Sequence, residues 1–139
     1  MRTQTFSRLY GIAFLVVGLV GIIPGLTPAH DHAGVMIDAE SGLVLGLFPV
    51  NILHDILHIA FGFWGIAAAR SYAAARGYAR AVALTFGLLT LMGLFPATRT
   101  IFGLMPIYGH DVWLHALLAT AATHFGFMHR EAQARAAAI

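Results

Sequence analysis

Four long apolar runs, Leu9 to Leu26, Pro49 to Ala69, Ala81 to Phe95 and Val112 to Met128, alternate along the chain with short polar breaks. A bilayer core of about 30 Å takes about 20 helical residues. The first two runs have that length. The third and fourth are slightly short and need flanking residues such as Tyr78, Arg80 and Asp111 to complete them. The pattern predicts an all-α fold: one domain over residues 1–139, an integral membrane bundle of four transmembrane helices, with spans at about 9–26, 49–69, 79–95 and 111–128. Where a signal peptide would carry a small-residue cleavage site, the first run has Pro24 and Gly25, so it reads as a span.

Polar residues break the pattern at the head of the second run, NILHDILH from Asn51 to His58. At about 100° per residue, Asn51, His54, Asp55, His58, Gly62 and Gly65 share an arc of about 100°. Ile52, Leu53, Ile56, Leu57, Ile59, Phe61, Phe63 and Trp64 occupy the other faces, which suit lipid and neighbouring spans. A charged group at the centre of a bilayer helix costs about 2.5 to 3.5 kcal/mol on insertion scales, so the polar stripe must face protein. Gly62 and Gly65 continue it inward and admit the close approach of another helix. In the fourth run, DVWLH places Asp111 and His115 one turn apart, with Ala119 and Ala122 extending that face.

Composition agrees with the membrane class. The 139 residues are 59% hydrophobic and only 10% charged, and mean hydropathy is +0.79. All basic charge is arginine. With four spans, Arg2, Arg8, Arg70, Arg76, Arg80, Arg130 and Arg135 fall on one side and Arg99 alone on the other. The positive-inside rule then puts both termini in the cytoplasm. Membrane orientation accounts for the sequence pI near 9.5. The scattered arginines, without interleaved aromatics, exclude nucleic acid as a partner. Absence of cysteine excludes disulfides and thiolate sites, and Met36, Met92, Met105 and Met128 lack the pairing of a copper(I) path.

GLVGIIPG closes the first run and GLLTLMGLFP the third; LFPVNILH opens the second and LMPIYGHDVWLH the fourth. Two tandem helical hairpins around a pseudo-two-fold axis along the membrane normal, or chance likeness between apolar runs, both account for this. The repeat sets His54 and His115 at nearly equal depth, each about one turn inside the outer boundary.

Candidate chemistry follows from that depth. His54 and His58, one turn apart, with His115 from another helix, form a ligand set for zinc, copper or iron, with Asn51, Asp55, His110 and Asp111 as supporting or further ligands. One histidine from each of two helices is also how haem b is held in a bundle. Against both stands plain packing, in which the same side chains hydrogen-bond one another and set helix register. His124 lies about 180° around its helix from His115 and is excluded from that site. His129 is a solvated flank. In the outer loop, His30, Asp31 and His32 offer a surface metal site or a funnel toward the buried histidines, or only ordinary loop polarity. Arg99 can pair with Asp38, Glu40 or a lipid phosphate, and Tyr72, Tyr78 and Tyr108 fall at predicted interfaces as aromatic anchors. The tail EAQARAAAI extends the fourth helix.

VNILHDILHIAFGFWG from Val50 to Gly65 resembles the signature of a bacterial family of small four-helix membrane proteins, domain of unknown function 4383. GIAFLVVGLVGIIPG and DVWLHALLA resemble its first and last helices, so the resemblance covers nearly the whole chain. The family's second helix carries Asn, His, Asn, His where this chain has Asn51, His54, Asp55 and His58, and its last carries Trp-Leu-His where this chain has Trp113, Leu114 and His115. Asp55 departs from the usual amide, which argues against any role that needs a charge there. The resemblance implies four spans and a histidine-bearing interior, and brings no activity.

The leading expectation is a histidine-lined site between helices two and four that binds a metal ion or haem, its use in catalysis, sensing or electron transfer left open. The rival is a non-catalytic accessory or scaffold subunit docked in a larger membrane complex or homo-oligomer, its histidines serving packing only. A transporter is disfavoured, since four short helices leave little room for a path.

Overall fold

In the computed structural model, which describes residues 1–129, the arginines Arg130 and Arg135 and the tail from Glu131 lie outside the described residues. Four α-helices form the body: α1 Thr3–Gly21, α2 Ile52–Ala68, α3 Tyr72–Leu94 and α4 His110–Thr123, the last continued by a π-helical turn, His124–Met128. By length and apolar composition α1 and α3 are able to cross a membrane; α2 is apolar but shorter, with 17 residues.

Helix boundaries follow local chemistry. Pro24 and Gly25 end α1 early, and the Thr27 hydroxyl donates to the Val20 carbonyl at 2.9 Å over its last turn. The helix therefore runs earlier than the span expected at 9–26. Asn51 N-caps α2, its side chain accepting from the His54 N–H at 3.0 Å. Ser71 caps α3 in the same way through Ala74, and the good helix former alanine lets α3 start at Tyr72. Arg76 and Arg80 thus sit on the helix. Each donates through Nε to the Gly126 carbonyl, at 3.0 and 2.9 Å, tying the π-helical turn to α3.

A small antiparallel hairpin that the apolar pattern did not predict, β1 Gly42–Val44 with β2 Phe48–Val50, occupies the α1–α2 connection. Its turn places Leu45 and Gly46 at φ 54° and 70°, the left-handed pair that a tight hairpin needs. Because β2 takes Phe48–Val50, α2 starts at Ile52, later than the expected position 49.

The helices pack chiefly as two pairs, α1 with α2 and α3 with α4. The buried face of α2 is His54, Asp55, His58, Gly62, Gly65 and Ala68, the stripe read from the sequence. Glycines set the α1–α2 crossing. A Cβ on Gly62 would lie 2.7 Å from the Leu15 nitrogen, and one on Gly65 2.8 Å from the Gly11 Cα. The Ser7 hydroxyl donates to the Gly65 carbonyl at 2.7 Å across that seam. Phe6, Phe14, Tyr78, Val82, Phe86 and Ala122 form the apolar core.

Tyr78 corrects an expectation. It is no interfacial anchor but is fully buried, its ring edge-on to Trp64 at 5.4 Å and against Gly65, where the missing side chain leaves space for it. Its position on α3 falls in the same 3–4 spacing as Ala75, Val82 and Phe86, which faces the core. Large apolar side chains point outward instead: Phe63, Trp64, Leu84, Leu88 and Leu91 are all exposed.

Candidate metal centre

His54 and His58 are brought onto one face by the helical period of α2, and their rings stack with centroids 4.6 Å apart. His115 comes from α4, whose buried face is Asp111, Val112, His115, Ala119 and Ala122, and its ring lies 6.0 Å from that of His54. One nitrogen from each of the three imidazoles lies within 4.8 Å of the other two, and all three residues are buried. Core aromatics hold them: Phe14 stacks on His58 at 5.7 Å, and Phe86 meets His115 edge-on at 5.0 Å.

Hydrogen-bond accounting isolates these groups. Among the described residues, Nδ1 of His54, Nδ1 of His58 and both ring nitrogens of His115 are buried with no hydrogen-bond partner. Asp111 is the nearest carboxylate. Its Oδ2 lies 3.5 Å from Nε2 of His115 and 3.9 Å from Nε2 of His54, longer than hydrogen bonds but within reach of a small side-chain rotation. The carbonyls of Pro49 and Pro106 also face His54.

The remaining candidates separate from this group. Asn51 is buried above it, its amide donating to the Ile37 and Leu104 carbonyls at 2.8 Å each. That one side chain stitches the α1–α2 and α3–α4 connections to the head of α2. Asp55 turns the other way, its carboxylate against Gly21 of α1, where no side chain could fit, and neither oxygen has a hydrogen-bond partner among the described residues. His110 does not belong to the site: it stands exposed as the first residue of α4, about 140° around the helix from His115.

The outer HDH sequence divides as well. His30 and Asp31 are exposed, but His32 is buried. Its Nε2 sits 3.0 and 3.2 Å from the Gly42 and Val50 carbonyls, which only accept, so this nitrogen carries the proton. Nδ1 then accepts from the Tyr108 hydroxyl at 2.8 Å. Both ligand atoms are occupied, which removes His32 from a surface metal site. Burial pushes its pKa below the ordinary histidine value, while the two carbonyl contacts work in the opposite direction. Arg99 lies over the Tyr108 ring, 5.4 Å from its centroid.

Beside the histidines is a cavity of about 290 Å³ between α2 and α3. Thr85, Phe86 and Leu89 of α3 and Ile101 and Met105 of the α3–α4 connection line it together with His54, His58 and His115. None of those five is a polar group in an apolar run that would have marked it in the sequence, apart from Thr85. Two helices adjacent in the chain leave a gap because each packs mainly on its other neighbour.

Neither the curated proteins nor the solved structures contain a match to the chain. Residues 4–128 match a family model throughout the helical body that carries these histidines, and the chain belongs to the family defined by domain of unknown function 4383.

Proposed function

We propose that this protein is a four-span protein of the bacterial cytoplasmic membrane, both termini inside, that holds a single metal ion on His54, His58 and His115 near the outer surface. One observation carries the reading: three buried imidazoles from two helices converge, and among the described residues Nδ1 of His54, Nδ1 of His58 and both nitrogens of His115 have no hydrogen-bond partner. Leaving a buried polar group unsatisfied costs about 1 to 3 kcal/mol, so histidines used as packing glue would be expected to hydrogen-bond one another. An ion satisfies all three at once. At about 2.1 Å from each nitrogen, tetrahedral ligands are about 3.4 Å apart, and modest rotation of the rings closes the observed separation of up to 4.8 Å.

Zinc, copper and iron all accept imidazole. Asp111 supplies either a fourth ligand or the carboxylate that orients His115. Haem b suits the geometry less well. A porphyrin lies between its axial imidazoles, whereas His54 and His58 stack on each other, and a 290 Å³ cavity is at the small end of ligand pockets, about 300 Å³. The membrane part of the reading rests on the two long apolar helices, the exposed leucines and aromatics and the one-sided arginines.

Metal analysis and an absorption spectrum of the protein purified in detergent test the centre. Near-stoichiometric zinc, copper or iron is expected; a Soret band would replace the three-histidine ion by haem, and the absence of both metal and haem would overturn the reading. A reporter fused to the C-terminus should be active in the cytoplasm only. The accessory-subunit reading draws on Trp113 and Leu117, which are exposed beside Leu47 and Phe48. Co-purification of a larger complex after gentle solubilisation would favour it.

A further inference from the structure

The cavity beside the histidines has walls of a particular chemistry. Among the described residues no charged side chain lines it, its walls are almost wholly apolar, and apart from the histidines the one polar residue among them is Thr85. Phe61 and Phe86 face it nearly perpendicular to each other, at 84° and 5.7 Å between centroids. Its rim is Leu57, Leu89 and Ile101, which are half-buried or exposed. On α3, the helix that supplies Thr85, Phe86 and Leu89, the leucines Leu84, Leu88 and Leu91 are exposed. In a four-span orientation this face meets lipid, which gives molecules dissolved in the membrane a lateral route to the cavity.

Charged and strongly hydrophilic ligands are disfavoured by such a path, because they would leave water without finding a compensating partner. Plain hydrocarbon would fill the walls yet leave the imidazoles unanswered. A flat ring with one oxygen satisfies both ends. Its faces and edges meet Phe61 and Phe86, which favour offset or edge-on aromatic packing, and its oxygen reaches the fourth position of a three-histidine ion, which is open where Asp111 orients His115 and does not itself ligate. A volume of about 290 Å³ holds a single substituted ring and excludes a large polycyclic cofactor.

We propose that the cavity is a lateral binding slot for the ring of a neutral, membrane-soluble phenol or quinol, admitted between α2 and α3, with its hydroxyl oxygen directed at the histidine centre. For its polar end the proposal rests on the reading of His54, His58 and His115 as metal ligands.

The test uses the full chain in phosphatidylcholine and phosphatidylglycerol nanodiscs, loaded with cobalt(II), and 4-heptylphenol as probe, with heptylbenzene as the same molecule without oxygen. Equilibrium dialysis of the labelled probes reads binding, and the visible cobalt spectrum reads contact with the centre. Saturable binding of the phenol is expected, about tenfold or more tighter than heptylbenzene, with a spectral change that saturates in step. Leu89→Trp and, from the opposite wall, Leu57→Trp should each weaken phenol binding about tenfold or more while cobalt content stays at the wild-type level. Equal binding of the two probes, or unchanged affinity in both Trp variants, overturns the slot. Saturation without spectral change overturns its contact with the centre. A protein that loads cobalt but holds no phenol sinks the slot alone. One that holds phenol but no metal sinks the metal reading and supports a slot whose hydroxyl partner is imidazole.

Discussion

His32 and His58 are equally buried, each 7% exposed, yet their surroundings are opposite. His32 has both ring nitrogens engaged, by Tyr108 on one side and the Gly42 and Val50 carbonyls on the other. Among the described residues Nδ1 of His58 has no partner, and the ring stands in a group of three converging imidazoles. Burial therefore does not distinguish a structural histidine from a candidate ligand. The balance of donors and acceptors does. A satisfied ring fastens the α1–α2 connection, whereas an unsatisfied cluster stores a demand that something else must meet.

Metal content breaks or upholds this contrast most directly. His58→Gln keeps hydrogen-bonding capacity but removes a good metal ligand, so it should lose nearly all bound metal while circular dichroism still reports a folded helical protein. Full metal content in that variant would return His58 to the packing role. Asp111→Asn comes next. The carboxylate is near both His115 and His54, and loss of a supporting carboxylate should weaken metal affinity about 10- to 100-fold in a competition titration with a chelator. An unchanged affinity would remove Asp111 from the site.

The other arm of the comparison is tested through stability. His32→Phe leaves the Gly42 and Val50 carbonyls without their donor, and should cost about 1 to 3 kcal/mol in thermal or denaturant unfolding. Metal content should stay at the wild-type level. The same residue gives a pH signature. Burial holds the folded His32 below its unfolded value, so its neutral ring contributes fully above the ordinary histidine pKa of about 6.5. That contribution is lost as pH falls through the unfolded value toward the lower folded one. His32→Phe should flatten this acid limb of the stability curve; an identical limb in the variant would assign it to other groups.

Asp55→Asn should have the smallest effect. The carboxylate faces Gly21 on α1 and lies outside the histidine group, so metal content should not change. Stability should shift by about 1 kcal/mol or less, since an amide occupies the same space. A substantial loss of metal would show that Asp55 acts on the centre through His54 or His58.

Local order along the chain was enough to specify a good deal. Helical periodicity is set by backbone geometry within a few residues, so the buried face of α2, from His54 to Gly65, and that of α4, Asp111 with His115, Ala119 and Ala122, were readable as stripes. Apolar runs located four helices; Pro24, the Ser71 cap and the β2 strand shifted some of their ends, and α1 also starts at Thr3, ahead of its apolar run. Residues outside a period were not readable. His32 lies in an irregular segment, and its burial depends on carbonyls that a hairpin about ten and eighteen positions later brings to it.

Tertiary packing decided how each stripe was shared among neighbours. The polar arc of α2 is wide enough to meet two helices, and the glycine crossing with α1 turned Asp55 toward Gly21 while His54 and His58 met α4. The same crossing left Tyr78 a buried space at Gly65, and the pairing of α1 with α2 and α3 with α4 opened the cavity between the pairs. Such outcomes depend on contacts between residues far apart in the chain. No local period encodes them, because close packing chooses among faces that the helix geometry makes equally available.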